Sequence, residues 1–244
     1  MVGYAPNPSP APAMTKAALF DIDDTLYALS ATHAAALRAT EAYAAETLGV
    51  PLETLRAAYR RAFDWQIGNH ADNAGFHSRA VRFQRALEEL RLPLRFAAPL
   101  ADRYWAELLD RIGAAGPADG AAELLRGLKE RGVRVGVASD MTADWQLRKL
   151  DRLGLLDDLD FVVTSEEAGA EKPAAAFFAL CLEKAGCLPE ECVFVGDNLR
   201  KDALGALHAG MRAFWVEPDA AKRAERPDVP SVASLRELLP ILLG

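Results

Sequence analysis

Five short apolar runs, each ending in or beside polar residues, constrain the fold of this chain more than any other feature. They are AALFDI (17–22), VRVGVAS (133–139), DFVVTS (160–165), CVFVGD (192–197) and AFWV (213–216). Helical patterns at 141–153, 173–185 and 201–210 separate the last four runs. Single helices between strands are typical of a parallel sheet, and continuous apolar runs are expected where both faces of the sheet are buried. The pattern predicts an α/β fold with a Rossmann-like parallel sheet in a three-layer α/β/α core.

The region between the first and second runs shows helical periodicity and no convincing strand. Its helical patterns lie at 31–48, 52–66, 76–91 and 98–112, and they are broken at 49–51, 68–75 and 91–94. We therefore predict an all-helical cap domain at residues 29–115, inserted into a core made of residues 15–28 and 116–244. Arg79, Arg82 and Arg85 recur at helical spacing on its third helix, where we expect a solvated face.

Composition and charge narrow the range of partners. The 244 residues are 51% hydrophobic and carry a formal net charge of −7, which argues against a nucleic acid polymer or an anionic membrane as main partner. No apolar run approaches the roughly 20 residues that span a bilayer. The three cysteines form no metal-spaced pair, so we expect reduced thiols and a cytoplasmic location. We expect residues 1–14 to be a disordered Pro-rich leader, with Met14 as an alternative start. We expect the protein to be a monomer or homodimer.

Carboxylates are concentrated at two of the predicted strand ends. Asp21, Asp23 and Asp24 follow the first run, and Asp197 ends the fourth. Ligands of open parallel sheets bind at the carboxyl ends of the strands, so we expect these side chains to meet. Asp21 suits a nucleophile that also ligates a metal, and Asp23, two residues on, suits a general acid and base. With Asp197 as a further ligand, an oxygen-only set points to Mg²⁺.

Lys172, Ser139 and Asp202 are predicted to complete this site. Pro173 suits the first turn of a helix, and a lysine just before it is expected to point to the sheet edge and offset negative charge. Ser139 ends the second run and can donate its hydroxyl to a phosphate oxygen. Asp202 can orient a ligand, a metal-bound water or a lysine. The predicted chemistry is attack of a carboxylate on phosphorus, with Asp23 protonating the leaving oxygen and then activating water.

Four motifs in this order resemble those of the haloacid dehalogenase superfamily of hydrolases, subfamily I, in which a helical cap lies between the first two motifs. They are DIDDT (21–25), VASD (137–140), EKP (171–173) and GDNLRKD (196–202), and the resemblance covers about residues 16 to 217. It implies that Asp21 is the nucleophile and Asp23 the acid/base. It also implies that Mg²⁺ is held by the Asp21 side chain, the Asp23 backbone carbonyl and Asp197, with Asp202 as a supporting carboxylate.

The predicted phosphate-binding residues are Ser139, Lys172, Asp24 and Asp140. For Asp24 we expect the backbone N–H to make the contact, and we expect Thr25 to support the turn. Asp140 stands where the family commonly has Asn. If the Asp140 side chain touched phosphate, binding would be weakened; a backbone contact would be tolerated.

Several activities of the superfamily can be weighed from the same residues. Asp23 argues against dehalogenation, and the lack of any lysine between Lys16 and Lys129 argues against phosphonatase chemistry. We predict a Mg²⁺-dependent phosphatase of a small phosphorylated metabolite, with a resemblance to the nucleotide-phosphatase branch. Nucleoside monophosphates, sugar phosphates and phosphoglycolate all fit the core. A phosphomutase acting on a sugar phosphate and a catalytically weak regulatory protein remain open alternatives.

Overall fold

The computed structural model describes residues 14–70 and 74–244 and contains a parallel sheet with helices on both faces. The strands are β1 (Ala17–Phe20), β2 (Arg134–Ser139), β3 (Phe161–Thr164), β4 (Cys192–Gly196), β5 (Arg212–Val216) and β6 (Ser231–Val232). Their order in the sheet is β3-β2-β1-β4-β5-β6. In the central register, Leu19 of β1 lies between Gly136 of β2 and Phe194 of β4. The predicted three-layer α/β core is confirmed.

Four long helices follow β1 and together form what we call the helical insertion, residues 29–115. They are α1 (Leu29–Leu48), α2 (Leu52–His70), α3 (Arg79–Glu89) and α4 (Ala97–Ala115), with 3₁₀ turns at Ala74–His77 and Leu94–Phe96. The backbone N–H of Ala118 donates to the carbonyl of Leu26 at 2.7 Å, so the chain leaves and re-enters the core at neighbouring points. The division into two domains at these residues stays a prediction.

The remaining helices belong to the part of the chain that contains strands β2 to β6. They are α5 (Ala121–Glu130), α6 (Ala143–Arg152), α7 (Ser165–Ala168), α8 (Ala175–Ala185), α9 (Leu204–His208), α10 (Ala220–Ala224) and α11 (Leu239–Leu243). A π-helical turn spans Leu199–Ala203, and 3₁₀ turns lie at Leu156–Asp158, Pro189–Glu191 and Leu235–Leu238.

The side chains of β1 alternate between two hydrophobic layers. Ala18 and Phe20 pack in the layer that includes α5 and the interior of the helical insertion, whereas Ala17 and Leu19 pack against α8 and α9. All four side chains are fully buried. Burial on both faces explains why the strand reads as an unbroken apolar run.

The sequence-based boundaries were wrong at several places. Helix α2 continues to His70, into the segment that we expected to be a loop. Helix α5 and strand β6 were missed, and the last predicted helix is a π-helical turn followed by the short α9. Helix α8 begins at Ala175, so Pro173 precedes the helix instead of occupying its first turn. The predicted leader lies, apart from Met14, outside the described residues.

None of the helices in the described part of the chain combines the length and apolarity needed to cross a bilayer.

Candidate active site

The carboxyl ends of β1, β2 and β4 bring the predicted site residues to one edge of the sheet. Asp21 directly follows β1, Ser139 ends β2 and Asp197 follows β4. Because β1 lies between β2 and β4, Asp21 is at the centre of this edge. Its backbone N–H donates to the carbonyl of Val195 at 2.8 Å, which continues the hydrogen bonding between β1 and β4 as far as the site.

Lys172 joins two of the aspartates in a buried ion-pair network. Its Nζ lies 2.6 Å from Asp21 Oδ1 and 2.7 Å from Asp202 Oδ1, and all three side chains are almost completely buried. Burial raises the pKa of Asp21 to about 8, although the Lys172 charge opposes this. Burial opposes charging of Lys172, but Asp202 and Asp21 outweigh it and raise the lysine pKa. Lys172 therefore remains an ammonium beside the central carboxylate.

Asp202 reaches this network because Gly196 has no side chain. A Cβ at position 196 would lie 2.4 Å from Asp202 Oδ2. The same Oδ2 accepts a hydrogen bond from the backbone N–H of Asn198 at 2.9 Å. The turn after β4 thus folds the Asp202 carboxylate back against the end of the strand.

Asp197 completes a cluster of three carboxylates. One carboxylate oxygen from each of Asp21, Asp197 and Asp202 lies within 4.8 Å of the other two. Burial, followed by the charges of Asp202 and Asp24, raises the pKa of Asp197 to about 7. The Thr25 hydroxyl accepts a hydrogen bond from the Asp197 backbone N–H at 3.0 Å and lies 3.5 Å from Asp197 Oδ1. Thr25 thereby ties the loop after β1 to the end of β4.

This cluster fits a divalent cation. When all three carboxylates are ionised they face the single ammonium of Lys172, so two negative charges are left without a partner within the group. The donors are all oxygens, which are the ligands that hard cations such as Mg²⁺ and Ca²⁺ prefer. The carboxylates of positions 21 and 197, predicted to share one ion, lie close enough to do so.

Asp23 has partners that the sequence reasoning missed. Lys149 Nζ of α6 lies 2.8 and 2.9 Å from its two carboxylate oxygens, and the Tyr27 hydroxyl donates to Oδ1 at 2.6 Å. Gln146 Nε2 lies 3.4 Å from Oδ2 and donates at 2.8 Å to the Ser139 hydroxyl. Burial alone would raise the pKa of Asp23, but Lys149 and these hydrogen bonds outweigh it and lower that pKa.

A signal for Lys149 and Gln146 was present in the sequence. By their spacing in the sequence, Gln146 and Lys149 share a helix face with Leu150 and Leu153, and the structure buries all four side chains. Polar residues therefore occupy helical positions at the spacing of a buried face, which is where a structural core would have apolar side chains. Such positions favour a functional interpretation, because buried charges require partners.

The remaining predicted phosphate-binding residues surround the same edge. Ser139 is buried. Asp24 has a φ of 60°, and its carboxylate accepts hydrogen bonds from the backbone N–H and hydroxyl of Ser30 at 3.0 and 2.7 Å. Its side chain is thus occupied at the start of α1.

The Asp140 carboxylate is also occupied. It accepts a hydrogen bond from the backbone N–H of Lys172 at 2.9 Å and one from Lys201 Nζ at 2.7 Å. Lys201 also lies 3.2 Å from Glu171. Asp140 thereby positions the Lys172 backbone, and its charge is offset by Lys201.

The helical insertion contributes residues close to this edge. His77 Nε2 lies 2.9 Å from Glu171 Oε1, next to Lys172, and the Trp105 ring stacks on Trp145 of α6 with centroids 4.1 Å apart. The expectation of a solvated arginine face on α3 was wrong for Arg82, which is only 4% exposed, and Arg79 and Arg85 are partly buried. Arg82 lies on the face of α3 that packs against α2, where it donates to the Gln66 side chain.

Comparison with known proteins agrees with this geometry. The chain is 34% identical over 226 residues to the ribulose-1,5-bisphosphate 5-phosphatase of Halopiger xanaduensis, covering 87% of this chain and 91% of that protein. It is 35% identical over 216 residues to the glyceraldehyde 3-phosphate phosphatase of Methanothermobacter thermautotrophicus, covering 88% and 91%. The crystal structure of a 2-haloacid dehalogenase from Pseudomonas syringae pv. Tomato matches with a TM-score of 0.71 and 29% identity over 94% of this chain and 98% of that one.

The family described as haloacid dehalogenase-like hydrolases matches residues 15–210, which include every aspartate and lysine of the site. With this match and the two phosphatases at more than 30% identity, this chain belongs to the haloacid dehalogenase-like hydrolases.

Proposed function

We propose that this protein is a Mg²⁺-dependent phosphatase that hydrolyses a small phosphorylated metabolite through an aspartyl-phosphate intermediate. One observation carries the proposal. The buried Asp21 carboxylate lies 2.6 Å from the Lys172 ammonium, within 4.8 Å of oxygens of Asp197 and Asp202, and two residues before a second carboxylate, Asp23.

With these residues the reaction can proceed in two displacements at phosphorus, the first by Asp21 and the second by water. The ionised Asp21 carboxylate attacks the phosphorus atom in line, while Lys172 and the Ser139 hydroxyl bind the other phosphate oxygens. Asp23 gives its proton to the leaving oxygen as the phosphorus–oxygen bond breaks. Asp23 then takes a proton from water, which attacks the phosphorus and releases phosphate and free Asp21.

The proposed ion would be held by Asp21 and Asp197, with the Asp23 backbone carbonyl as a further oxygen ligand and Asp202 as a supporting carboxylate. When bound, Mg²⁺ would supply positive charge that stabilises phosphate oxygens and the ionised form of Asp21. The raised pKa of Asp21 and of Asp197 is consistent with this need, since burial and like charges disfavour their ionised forms.

The two similar phosphatases support phosphate-ester hydrolysis of small metabolites over other activities of the superfamily. Asp23 again weighs against dehalogenation, despite the structural likeness to a haloacid dehalogenase. In this proposal the helical insertion is a cap that shields the site and selects the leaving group. A phosphomutase or a weakly active regulatory protein would share the same carboxylates and is separated from a phosphatase by measured release of phosphate.

The test is hydrolysis of p-nitrophenyl phosphate with Mg²⁺ and with the metal removed by a chelator. We expect turnover that depends on Mg²⁺ and falls by at least about 1,000-fold in Asp21→Asn, because removal of a nucleophile abolishes the covalent route. Asp144→Asn, at an exposed carboxylate of α6, is the matched control and should keep its activity. Turnover that persists in Asp21→Asn would overturn the mechanism.

A further inference from the structure

A cavity of about 210 Å³ lies between the helical insertion and the core, beside the end of β2. Met141, Thr142 and Trp145 line it from the core, and Arg79 and Trp105 line it from the insertion. Met141 Sδ lies 3.6 Å from Lys149 Nζ, which in turn lies 2.8 Å from Asp23 Oδ1, so a single side chain connects the wall of the cavity to the proposed acid. The cavity is therefore a candidate site for the leaving group of a substrate whose phosphate lies at the carboxylate edge.

Arg79 faces this cavity without an anionic partner. Its Nε is buried and has no hydrogen-bond partner among the residues that the structure describes. Its Nη1 and Nη2 make only long contacts, 3.4 Å to the His77 carbonyl and 3.5 Å to the Tyr104 hydroxyl. In the described ranges 14–70 and 74–244, the ion pairs within 4.0 Å include none to Arg79. A partly buried guanidinium whose Nε is desolvated in this way gains more than a fully exposed one from binding an anion.

Aromatic rings fix the orientation of the Arg79 guanidinium. Its central carbon lies 4.8 Å from the centre of the Tyr104 ring and 5.7 Å from that of Trp105. The Tyr104 hydroxyl in turn lies 2.6 Å from His33 Nδ1. Stacking against the face of a guanidinium leaves the N–H groups at its edge available to a planar or tetrahedral anion.

The other arginines of α3 are engaged elsewhere. Arg82 donates from Nε to the Gln66 side chain and from Nη2 to the Phe76 carbonyl at 2.8 Å. Arg85 stacks on Trp65 with its central carbon 3.7 Å from the ring centre. Arg82 therefore links α2 and α3, Arg85 lies against Trp65 of α2, and of these three arginines only Arg79 lines the cavity.

Charges near the cavity do not neutralise Arg79. His77 lies within hydrogen-bond distance of Glu171, and Asp102 is an exposed residue at the rim with no ion pair to Arg79 within 4.0 Å. Burial opposes charging of Arg79, but Tyr104, Tyr59 and the carboxylate of Asp23 outweigh it and raise its pKa. Arg79 is therefore a cation, and none of these carboxylates pairs with it within 4.0 Å.

We infer that Arg79 is a binding residue for a second anionic group, a carboxylate or a phosphate, on the leaving-group side of the substrate. This inference rests on the proposed function. The substrate class it assigns is a short phosphate monoester with a negative charge at its other end. The chemistry that recognises either anion is the same: paired N–H donors of a partly buried guanidinium.

The test uses three matched esters: 3-hydroxypropyl phosphate, 3-phosphonooxypropanoate and propane-1,3-diyl bisphosphate. They end in a hydroxyl, a carboxylate and a second phosphate. For the unmodified protein with Mg²⁺, we expect kcat/KM to be about 10- to 100-fold higher for at least one anion-ended ester than for the hydroxyl-ended ester, as for a charge-assisted hydrogen bond. The two anion-ended esters distinguish carboxylate from phosphate recognition.

Arg79→Gln should reduce that preference to about twofold or less, and Arg79→Lys should restore part of it. Arg85→Gln, the same change on the same helix, is the matched control and should retain the preference. Circular dichroism and turnover of the hydroxyl-ended ester report whether each variant is folded.

An unmodified protein that hydrolyses all three esters equally would overturn the inference while leaving the phosphatase proposal intact, as would an anion preference unchanged by Arg79→Gln. Failure to hydrolyse any ester or p-nitrophenyl phosphate would instead reject the proposed function. If Arg79→Gln does not fold, the ester preference of the unmodified protein and of Arg79→Lys still decides the matter.

Discussion

Asp23 is held by side chains from two parts of the chain, and its neighbours define what it can do. Lys149 and Gln146 come from α6, whereas Tyr27 comes from the loop after β1. Its lowered pKa keeps Asp23 ionised near neutral pH, which suits a base. To act as an acid in the first displacement, Asp23 must gain a proton, so the strength of the Lys149 contact bears directly on that step.

Lys149→Met should therefore move the pH dependence of catalysis. Without the ammonium, burial dominates and the pKa of Asp23 rises, so a larger fraction is protonated at any pH above neutrality. We expect the high-pH limb of the kcat/KM profile to move upward by about 1 to 3 pH units.

The control for this prediction is Arg148→Met. Arg148 precedes Lys149 but pairs with the exposed Asp144 at 3.0 Å, so its loss should leave the profile in place. An unchanged high-pH limb in Lys149→Met would contradict the acid role of Asp23.

At the scale of elements, the turn after β4 depends on the close approach of two residues. Gly196 ends the strand, and the π-helical turn Leu199–Ala203 brings Asp202 back against it. This turn holds Asp202 2.7 Å from Lys172, which comes from a different loop. The position of the Lys172 ammonium is thus set by the backbone geometry of a neighbouring element.

Gly196→Ala should impair both folding and catalysis. The new Cβ would lie 2.4 Å from Asp202 Oδ2 and 2.6 Å from Asp202 Cβ, so the carboxylate must move away from Lys172. We expect a loss of about 1 to 3 kcal/mol in the free energy of unfolding and at least a tenfold fall in kcat. Denaturant titration and steady-state kinetics measure the two effects.

Gly113→Ala is the matched control, because the nearest atom to its Cβ is the Arg152 carbonyl oxygen at 3.9 Å. Within α4 this change should be neutral or stabilising by up to about 1 kcal/mol. Equal effects of the two substitutions would refute the argument from close approach.

At the scale of the whole molecule, the helical insertion and the core meet over the carboxylate edge of the sheet. The stacked Trp105 and Trp145 rings and the contact between His77 and Glu171 connect them. The cavity that contains Arg79 lies in the same region. Binding of an ion or substrate at this edge is consequently expected to stabilise the whole fold and not one loop.

Addition of Mg²⁺ should raise the melting temperature. A ligand that binds only the native state at 100 times its Kd adds about 2.7 kcal/mol, which corresponds to a rise of roughly 5–10 °C for a chain of this size. Differential scanning fluorimetry measures the rise, and Asp197→Asn should abolish most of it. A rise of equal size in Asp197→Asn would argue against an ion at this cluster.

The same rise should be larger at pH 8 than at pH 6. The pKa values of Asp21 and Asp197 are raised from 3.8 to about 8 and about 7. From pH 3.8 up to these raised values, the metal-free native state therefore binds more protons than the unfolded chain. The free energy of unfolding of the metal-free protein then falls as pH rises through this range. At pH 8 fewer protons compete with the ion for the carboxylates, so the ion binds more tightly and stabilises the protein more than at pH 6. A rise that shrinks between pH 6 and pH 8 would contradict this linkage.

The sequence alone was enough to predict five of the six strands and the position of the central carboxylates. Apolar runs that end in Asp21, Ser139 and Asp197 must converge, because the carboxyl ends of neighbouring parallel strands share one edge. The roles assigned to these residues stay predictions until the variants are measured.

Only the tertiary structure decided which distant side chains pair. Lys149 contacts Asp23 across 126 positions of sequence, Lys201 contacts Asp140, and Arg79 lies in a cavity where a solvated face was expected. Periodicity tells which residues share a helix face, but it does not tell which surface that face will meet. That depends on how the insertion and α6 pack over the sheet, a balance of many long-range contacts that no local pattern encodes.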